Sequence, residues 1–246
     1  MRLTRSFVDM PLAVGMRVVL PEDAAAHLVR VLRLSEGDAC ALFNGDGRDY
    51  GARLLSANKR GVEAEVVDAR EIGNESPLRI VLLQGIARGE KMDLILQKAT
   101  ELGVSAIVPV VAERTEVKLD AQRSEKRVAH WRNVVVSACE QSGRARIPQL
   151  ATPATLAAAA AGRSIAPDAS KLILDPNGEH TSDSLAPPGS GGVAIAIGPE
   201  GGWSPRDRDT LRAAGFVGLR LGPRVLRTET AGLAAIAALQ SRFGDL

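Results

Sequence analysis

The segments IGPEGGW (197–203) and LGPRVLRTETAGLAAIAALQ (221–240) decide how this chain is read. Each joins an apolar run to a Gly-Pro break, the chemistry of a buried strand that ends in a tight turn with exposed backbone. Glycines at 198, 201, 202 and 222 let main-chain amides and carbonyls approach a ligand closely. Two such loops can meet at one ligand, and a flat base such as adenine can be held by main-chain groups alone.

Outward from these loops, apolar strands alternate with amphipathic helices from Arg79 onward, which predicts an α/β domain with a mainly parallel sheet. The predicted strands are RIVLLQGI (79–86), VSAIVPV (104–110), KLILD (171–175), GVAIAIG (192–198) and VGLRLG (217–222). A helix over Lys91–Leu102 puts Met92, Ile95, Leu96, Ala99 and Leu102 on one face and stops at Gly103, where a left-handed cap suits glycine. Another over Glu125–Ser142 aligns Val128, Trp131, Val135 and Ala138 and ends at Gly143. These stripes read as ordinary core packing. The Ala-rich stretch Ala157–Ser170 reads as a helix and a loose connection, and carries no functional assignment.

Before residue 73 the pattern differs. Short strands at Met16, Ala39, Asp49 and Val62, one helical stretch around Ala24–Leu32, and hairpin turns at Asn44–Gly47 and Asn58–Gly61 predict a small β-barrel domain. The polar run Glu71–Pro77 places the boundary, giving domains 1–72 and 73–246.

Composition narrows the function. A hydrophobic fraction of 45% supports proper cores, and no segment approaches the roughly 18 unbroken apolar residues of a membrane span. The N-terminus MRLTRSFVDM lacks a secretory apolar run, so cytoplasmic residence is expected. Two distant cysteines, Cys40 and Cys139, and three scattered histidines predict neither a disulfide nor a metal site. The net charge is only +2, but residues 79–148 carry 12 Lys and Arg against 8 Asp and Glu. With aromatics at 3%, a surface on which bases stack against rings is disfavoured. The motifs GxGxxG, GxxxxGK[ST] and GxSxG are absent, which disfavours an ordinary Rossmann, P-loop or hydrolase enzyme.

With the two opening loops, RGEKMDLILQKATELG (88–103), ERTEVK (113–118) and EQSGR (140–144) resemble the RsmE family of 16S ribosomal RNA uridine N3-methyltransferases, of the SPOUT class. HLVRVLRLSEGD (27–38) resembles that family's N-terminal PUA-like barrel, so the likeness covers nearly the whole chain. Five motifs in order make it specific, where GPEGG alone would be weak. The resemblance implies an α/β knot, a deep trefoil, in the C-terminal domain, against the general rule that chains avoid threading. It also implies a homodimer, for which the helix Thr230–Phe243 offers an apolar face that would equally serve an intrachain core.

The same resemblance implies S-adenosylmethionine as cofactor and 16S rRNA in the small ribosomal subunit as substrate. It assigns the cofactor to Leu174, to Ile197, Gly198, Pro199, Glu200, Gly201 and Gly202, to Leu221, Gly222, Arg224, Val225 and Leu226, and to Thr230 and Ala231. Asp175-Pro176-Asn177-Gly178 reads on its own chemistry as a plain turn. N3 of uridine is protonated at neutral pH, so methylation must remove that proton and stabilise charge on the uracil oxygens. Arg227 is the first candidate for the cation; Glu200 and Glu229 are candidate bases or orienters. Glu229 is equally suited to the positive end of the last helix, with Thr228 as its cap, and Arg227 to an ion pair with Glu200. Candidate RNA contacts are Arg2, Arg5, Arg30, Arg33, Arg88, Lys91, Arg114, Lys118 and Arg144, side chains that ordinarily meet phosphates. The competing readings are a SPOUT methyltransferase acting on another RNA such as tRNA, and a non-catalytic RNA-binding or ribosome-assembly protein.

Overall fold

A computed structural model describes residues 3–58, 61–117 and 121–246. The chain forms two units: one comprises residues up to Glu75 together with Val136–Ile147, the other Ser76–Val135 and Pro148–Leu246. The first division falls within the polar run at 71–77. A linear reading does not place 136–147 with the first unit.

In the first unit, strands β1 (Arg5–Phe7), β2 (Arg17–Val19), β3 (Ala39–Phe43), β4 (Arg48–Asn58) and β5 (Gly61–Glu71) form a five-stranded sheet in the order β1-β3-β4-β5-β2. Only the β1–β3 pairing is parallel. Alternate residues of β4 and β5 point inward, so Tyr50, Ala52, Leu54, Val62, Ala64 and Val66 build a core closed by Leu28. The predicted helix is present as α1 (Glu22–Ala25) running into a π-helical turn at Ala26–Val31. The strand β1 was not predicted, since three residues are too few to show a period.

The second unit carries β6 (Ile80–Gly85), β7 (Ala106–Val111), β8 (Gln149–Leu150), β9 (Ala154–Thr155), β10 (Ser170–Leu174), β11 (His180–Thr181), β12 (Val193–Ile197) and β13 (Val217–Arg220). Its sheet runs β11-β13-β10-β12-β6-β7-β8, with β9 also on β7, and every pairing is parallel. Strands covered on both faces need apolar residues at consecutive positions, and IVLLQG and VAIAI are buried throughout. The helices are α2 (Glu90–Glu101), α3 (Ala121–Ser142), α4 (Leu156–Ala160), α5 (Pro205–Ala213) and α6 (Thr228–Phe243). Helix α3 contributes to both units, its residues from Val136 onward belonging to the first. Among the described residues no helix is long and apolar enough to cross a membrane.

Candidate functional site

Parallel register brings the carboxyl ends of three strands together: Ile173 of β10 pairs with Ala196 of β12, and Leu174 with Leu219 of β13. The loops that leave these ends surround a cavity of about 330 Å³. Ligands of parallel sheets collect at such carboxyl edges.

The middle loop, 198–202, is held close to the sheet by a glycine outside it. A Cβ on Gly85 would stand 2.4 Å from the Pro199 nitrogen, so the loop can cross β6 only over a bare backbone. Within the loop Gly202 has φ +65°, and its amide donates to the Pro199 carbonyl at 2.8 Å. The chain then enters α5 through a capping box: Ser204 accepts from the Asp207 amide and Asp207 from the Ser204 amide. The sequence reading missed α5, although Ser-Pro-x-Asp is a legible helix start.

The residues assigned to the cofactor by resemblance line this cavity, from Leu174 through Ile197–Glu200 and Gly202 to Leu221, Gly222, Arg224–Leu226 and Ala231. Gly201 and Thr230 are not in its lining. Gly201 is covered instead by Arg114, whose Nη1 donates to the Gly201 carbonyl at 3.1 Å. Val225 is 80% exposed, so an apolar side chain stands in water at the rim.

The three contested residues fall into distinct surroundings. Glu200 does not pair with Arg227. Its Oε1 accepts from the Arg88 amide at 3.0 Å and lies 3.5 Å from Lys91 Nζ. Partial burial would raise its pKa, but the Arg88 amide and the Lys91 ammonium outweigh that and hold it below the usual glutamate range. Arg227 is exposed at the cavity edge, and its side chain has no hydrogen-bond or ion-pair partner among the described residues. Glu229 sits in the first turn of α6, as its capping role requires, yet its buried Oε2 accepts no hydrogen bond from the described residues. Thr228 does not cap the helix. Its hydroxyl donates to the Gly198 carbonyl at 2.6 Å, and Arg227 occupies the cap position without a side-chain bond.

Residues beyond those predicted complete the walls. Arg208 of α5 donates to Asp175 Oδ2 at 2.7 Å and to the Trp203 carbonyl at 2.6 Å. Burial would raise the Asp175 pKa; the Asn177 amide and Arg208 lower it further than burial raises it. The Trp203 indole is buried, and its Nε1 has no acceptor among the described residues. Beneath the loops lies Gln84, the one polar residue of β6. A glutamine inside an otherwise apolar strand is the signal that could have found it.

Of the expected RNA contacts, Arg30, Arg33, Arg88 and Arg114 are exposed and Lys91 is partly so, while Arg2 and Lys118 lie outside the described residues. Arg88 forms an ion pair with Glu116. Arg5 and Arg144 are instead buried and satisfied within the first unit. Arg5 meets Asp49 through Nε and Nη2, donates to the carbonyls of Cys139 (2.7 Å) and Arg144 (3.0 Å), and lies over the Phe43 ring. Arg144 makes a two-pronged pair with Glu75 at 2.6 and 3.2 Å. The cysteines are buried thiols, with burial raising Cys40 to about 11 and Cys139 to about 12. Among the described residues no cluster of three or more His, Cys, Asp or Glu could hold a metal.

An RNA methyltransferase domain family matches residues 74–240, and an RNA methyltransferase PUA domain family matches residues 20–67. The chain is 33% identical to the ribosomal RNA small subunit methyltransferase E of Buchnera aphidicola (subsp. Schizaphis graminum), covering all of this chain and 98% of that protein. It is 32% identical to the enzyme of the same name from Bacillus subtilis, over 87% of this chain and 85% of that one. The crystal structure of ribosomal RNA small subunit methyltransferase E from Neisseria gonorrhoeae, bound to S-adenosylmethionine, superimposes with a TM-score of 0.91 at 40% identity over the whole of both chains. A parallel sheet with its cavity at three carboxyl ends, an RNA methyltransferase domain over most of the chain and full-length likeness place this protein in the ribosomal RNA small subunit methyltransferase E family.

Proposed function

We propose that this protein uses S-adenosylmethionine to methylate N3 of a uridine in 16S rRNA of the small ribosomal subunit. The observation that carries the reading is the cavity at the ends of β10, β12 and β13, which in size and lining fits that cofactor. Its glycine loop offers main-chain groups, and Leu221, Val225 and Leu226 offer apolar cover for an adenine. The buried orphan Trp203 Nε1 offers a donor to a ligand that carries hydrogen-bond-accepting groups. When bound, S-adenosylmethionine supplies an electrophilic methyl group.

The chain's own residues supply the rest. Arg227, at the cavity edge and unpaired among the described residues, is placed to meet negative charge as it develops on the uracil oxygens. Glu229 is the better base or orienter of the two acids, because one of its carboxylate oxygens is uncommitted. Glu200 is spent on the Arg88 amide and Lys91, and its depressed pKa makes it a weak base. It ties the glycine loop to the approach of α2. Exposed Arg30, Arg33, Arg88 and Arg114 supply phosphate contacts.

The reading includes the trefoil knot and homodimer of the family, and a place of action inside the cell. Arg227→Ala is expected to keep cofactor affinity within about threefold while methyl transfer falls about 100–1,000-fold, the usual cost of losing one charge-stabilising donor. Glu229→Gln should lower transfer by a comparable factor. Calorimetric titration with S-adenosylmethionine, and mapping of N3-methyluridine in 16S rRNA from cells with and without the gene, check both parts. A mark that persists in the deletion strain would sink the substrate assignment; near-normal transfer by Arg227→Ala would remove that residue from the mechanism.

A further inference from the structure

Gln84 is fully buried in the middle of the sheet, and its carbonyl Oε1 has no donor among the described residues. A buried acceptor without a donor costs stability, and leucine would fill the same position in a strand that otherwise reads IVLL–G. The other end of the side chain shows what it does. Nε2 donates to the Gly85 carbonyl at 2.9 Å and to Thr228 Oγ1 at 3.1 Å. The Gly85 oxygen can only accept, which fixes which end of the amide is nitrogen. A threonine hydroxyl has a single proton. Because the neighbouring Gln84 nitrogen can only donate, that proton is committed to the Gly198 carbonyl, at 2.6 Å.

The relay therefore joins three pieces of chain. Gln84 lies in register with Ile197, the last residue of β12 and the one that leads into loop 198–202. Thr228 is the first residue of α6, where loop 221–227 ends. One hydroxyl thus links the two loops that line the cavity, and one sheet residue sets its direction.

We propose that Gln84 and Thr228 form a clasp that positions the two cavity loops for the cofactor, kept at a cost to stability because of the orphan Gln84 oxygen. They are positioning residues: neither is assigned a contact with the reacting atoms. The inference rests on the reading that this cavity holds S-adenosylmethionine, and its test has one arm independent of that reading.

In the full-length protein, Gln84→Leu and Thr228→Val are each expected to weaken S-adenosylmethionine binding at least tenfold by calorimetric titration. Thr228→Ser, which keeps the hydroxyl, should bind within about threefold of the parent. The melting temperature of Gln84→Leu should equal or exceed that of the parent, an outcome opposite to that of a residue needed only for packing. Without any ligand, amide exchange at Gly202 and Ala231, which bond to Pro199 and Arg227 carbonyls, should quicken at least tenfold in Gln84→Leu and Thr228→Val, with β6 and β12 unchanged. Parent-like affinity and exchange in both variants would overturn the clasp, as would a Gln84→Leu protein that is less stable but binds normally. If Gln84→Leu does not fold, Thr228→Val and Thr228→Ser decide the matter. If the parent itself fails to bind S-adenosylmethionine, the cofactor reading falls, and amide exchange still settles whether the clasp exists.

Discussion

Arg5 and Arg227 show how much a charge means only in its surroundings. Each stands in the sequence as a cation beside a hydroxyl residue, and nothing in composition separates them. In the fold Arg5 is buried against Asp49 and two carbonyls, while Arg227 stands exposed at the cavity. Arg5→Met would strand the Asp49 carboxylate and two acceptors, so a loss of about 3–5 kcal/mol is expected, measured by denaturant unfolding. Arg30→Met and Arg33→Met, at exposed sites, should each stay within about 0.5 kcal/mol in the same assay. The glycine loops were legible as residues because a Gly-Pro break after an apolar run has few other uses. Trp203 and Thr228 were not: their part in the site depends on where other segments arrive, which spacing along the chain does not encode.

Among the elements, the major strands and the helices α2, α3 and α6 were readable from hydrophobic period, and Gly103 and Gly143 do adopt positive φ at 83° and 91°. The short pieces β1, β8, β9 and β11 gave no period to read, and α5 is so polar that its capping box was the only clue. That helix matters to the site through Arg208, which anchors the loop after β10 by gripping Asp175 and also holds the Trp203 carbonyl. The Asp175 pKa is lowered in the fold from its ordinary 3.8. A depressed carboxylate gives stability that is complete above its unfolded pKa and is lost as pH falls through the folded value. Asp175→Asn should therefore be less stable than the parent at pH 7, and the gap in urea midpoint should hold at pH 5 and narrow as the buffer is taken below the ordinary 3.8 toward pH 3. A gap that stays constant across that range would show that the Asp175 charge contributes nothing.

On the scale of the whole molecule, the sequence marked a change of pattern near residue 72 but not the return of 136–147 to the first unit. That return is made by polar contacts no linear reading can anticipate. The Cys139 and Arg144 carbonyls accept from Arg5, the Glu140 carboxylate accepts from the Phe7 amide at 2.9 Å, and the Gly143 carbonyl accepts from Asn74. A polypeptide of residues 1–72 keeps the five strands but loses these partners. It is expected to unfold without a cooperative calorimetric transition, and a sharp transition from that fragment alone would show the return segment to be dispensable.

The end of α3 has a further consequence for how the protein is made. A polypeptide leaving the ribosome ordinarily completes its N-terminal domain first. Here Asp49 is made early, but the backbone carbonyls of Cys139 and Arg144 that complete the Arg5 site do not exist until the chain has been extended past Arg144, by which point β6, α2 and β7 have already emerged. The packing of the first unit around Arg5 is therefore completed by a segment made only after the other unit has begun. In this chain the first strand, β1, is thus the earliest made and among the last to find all its partners.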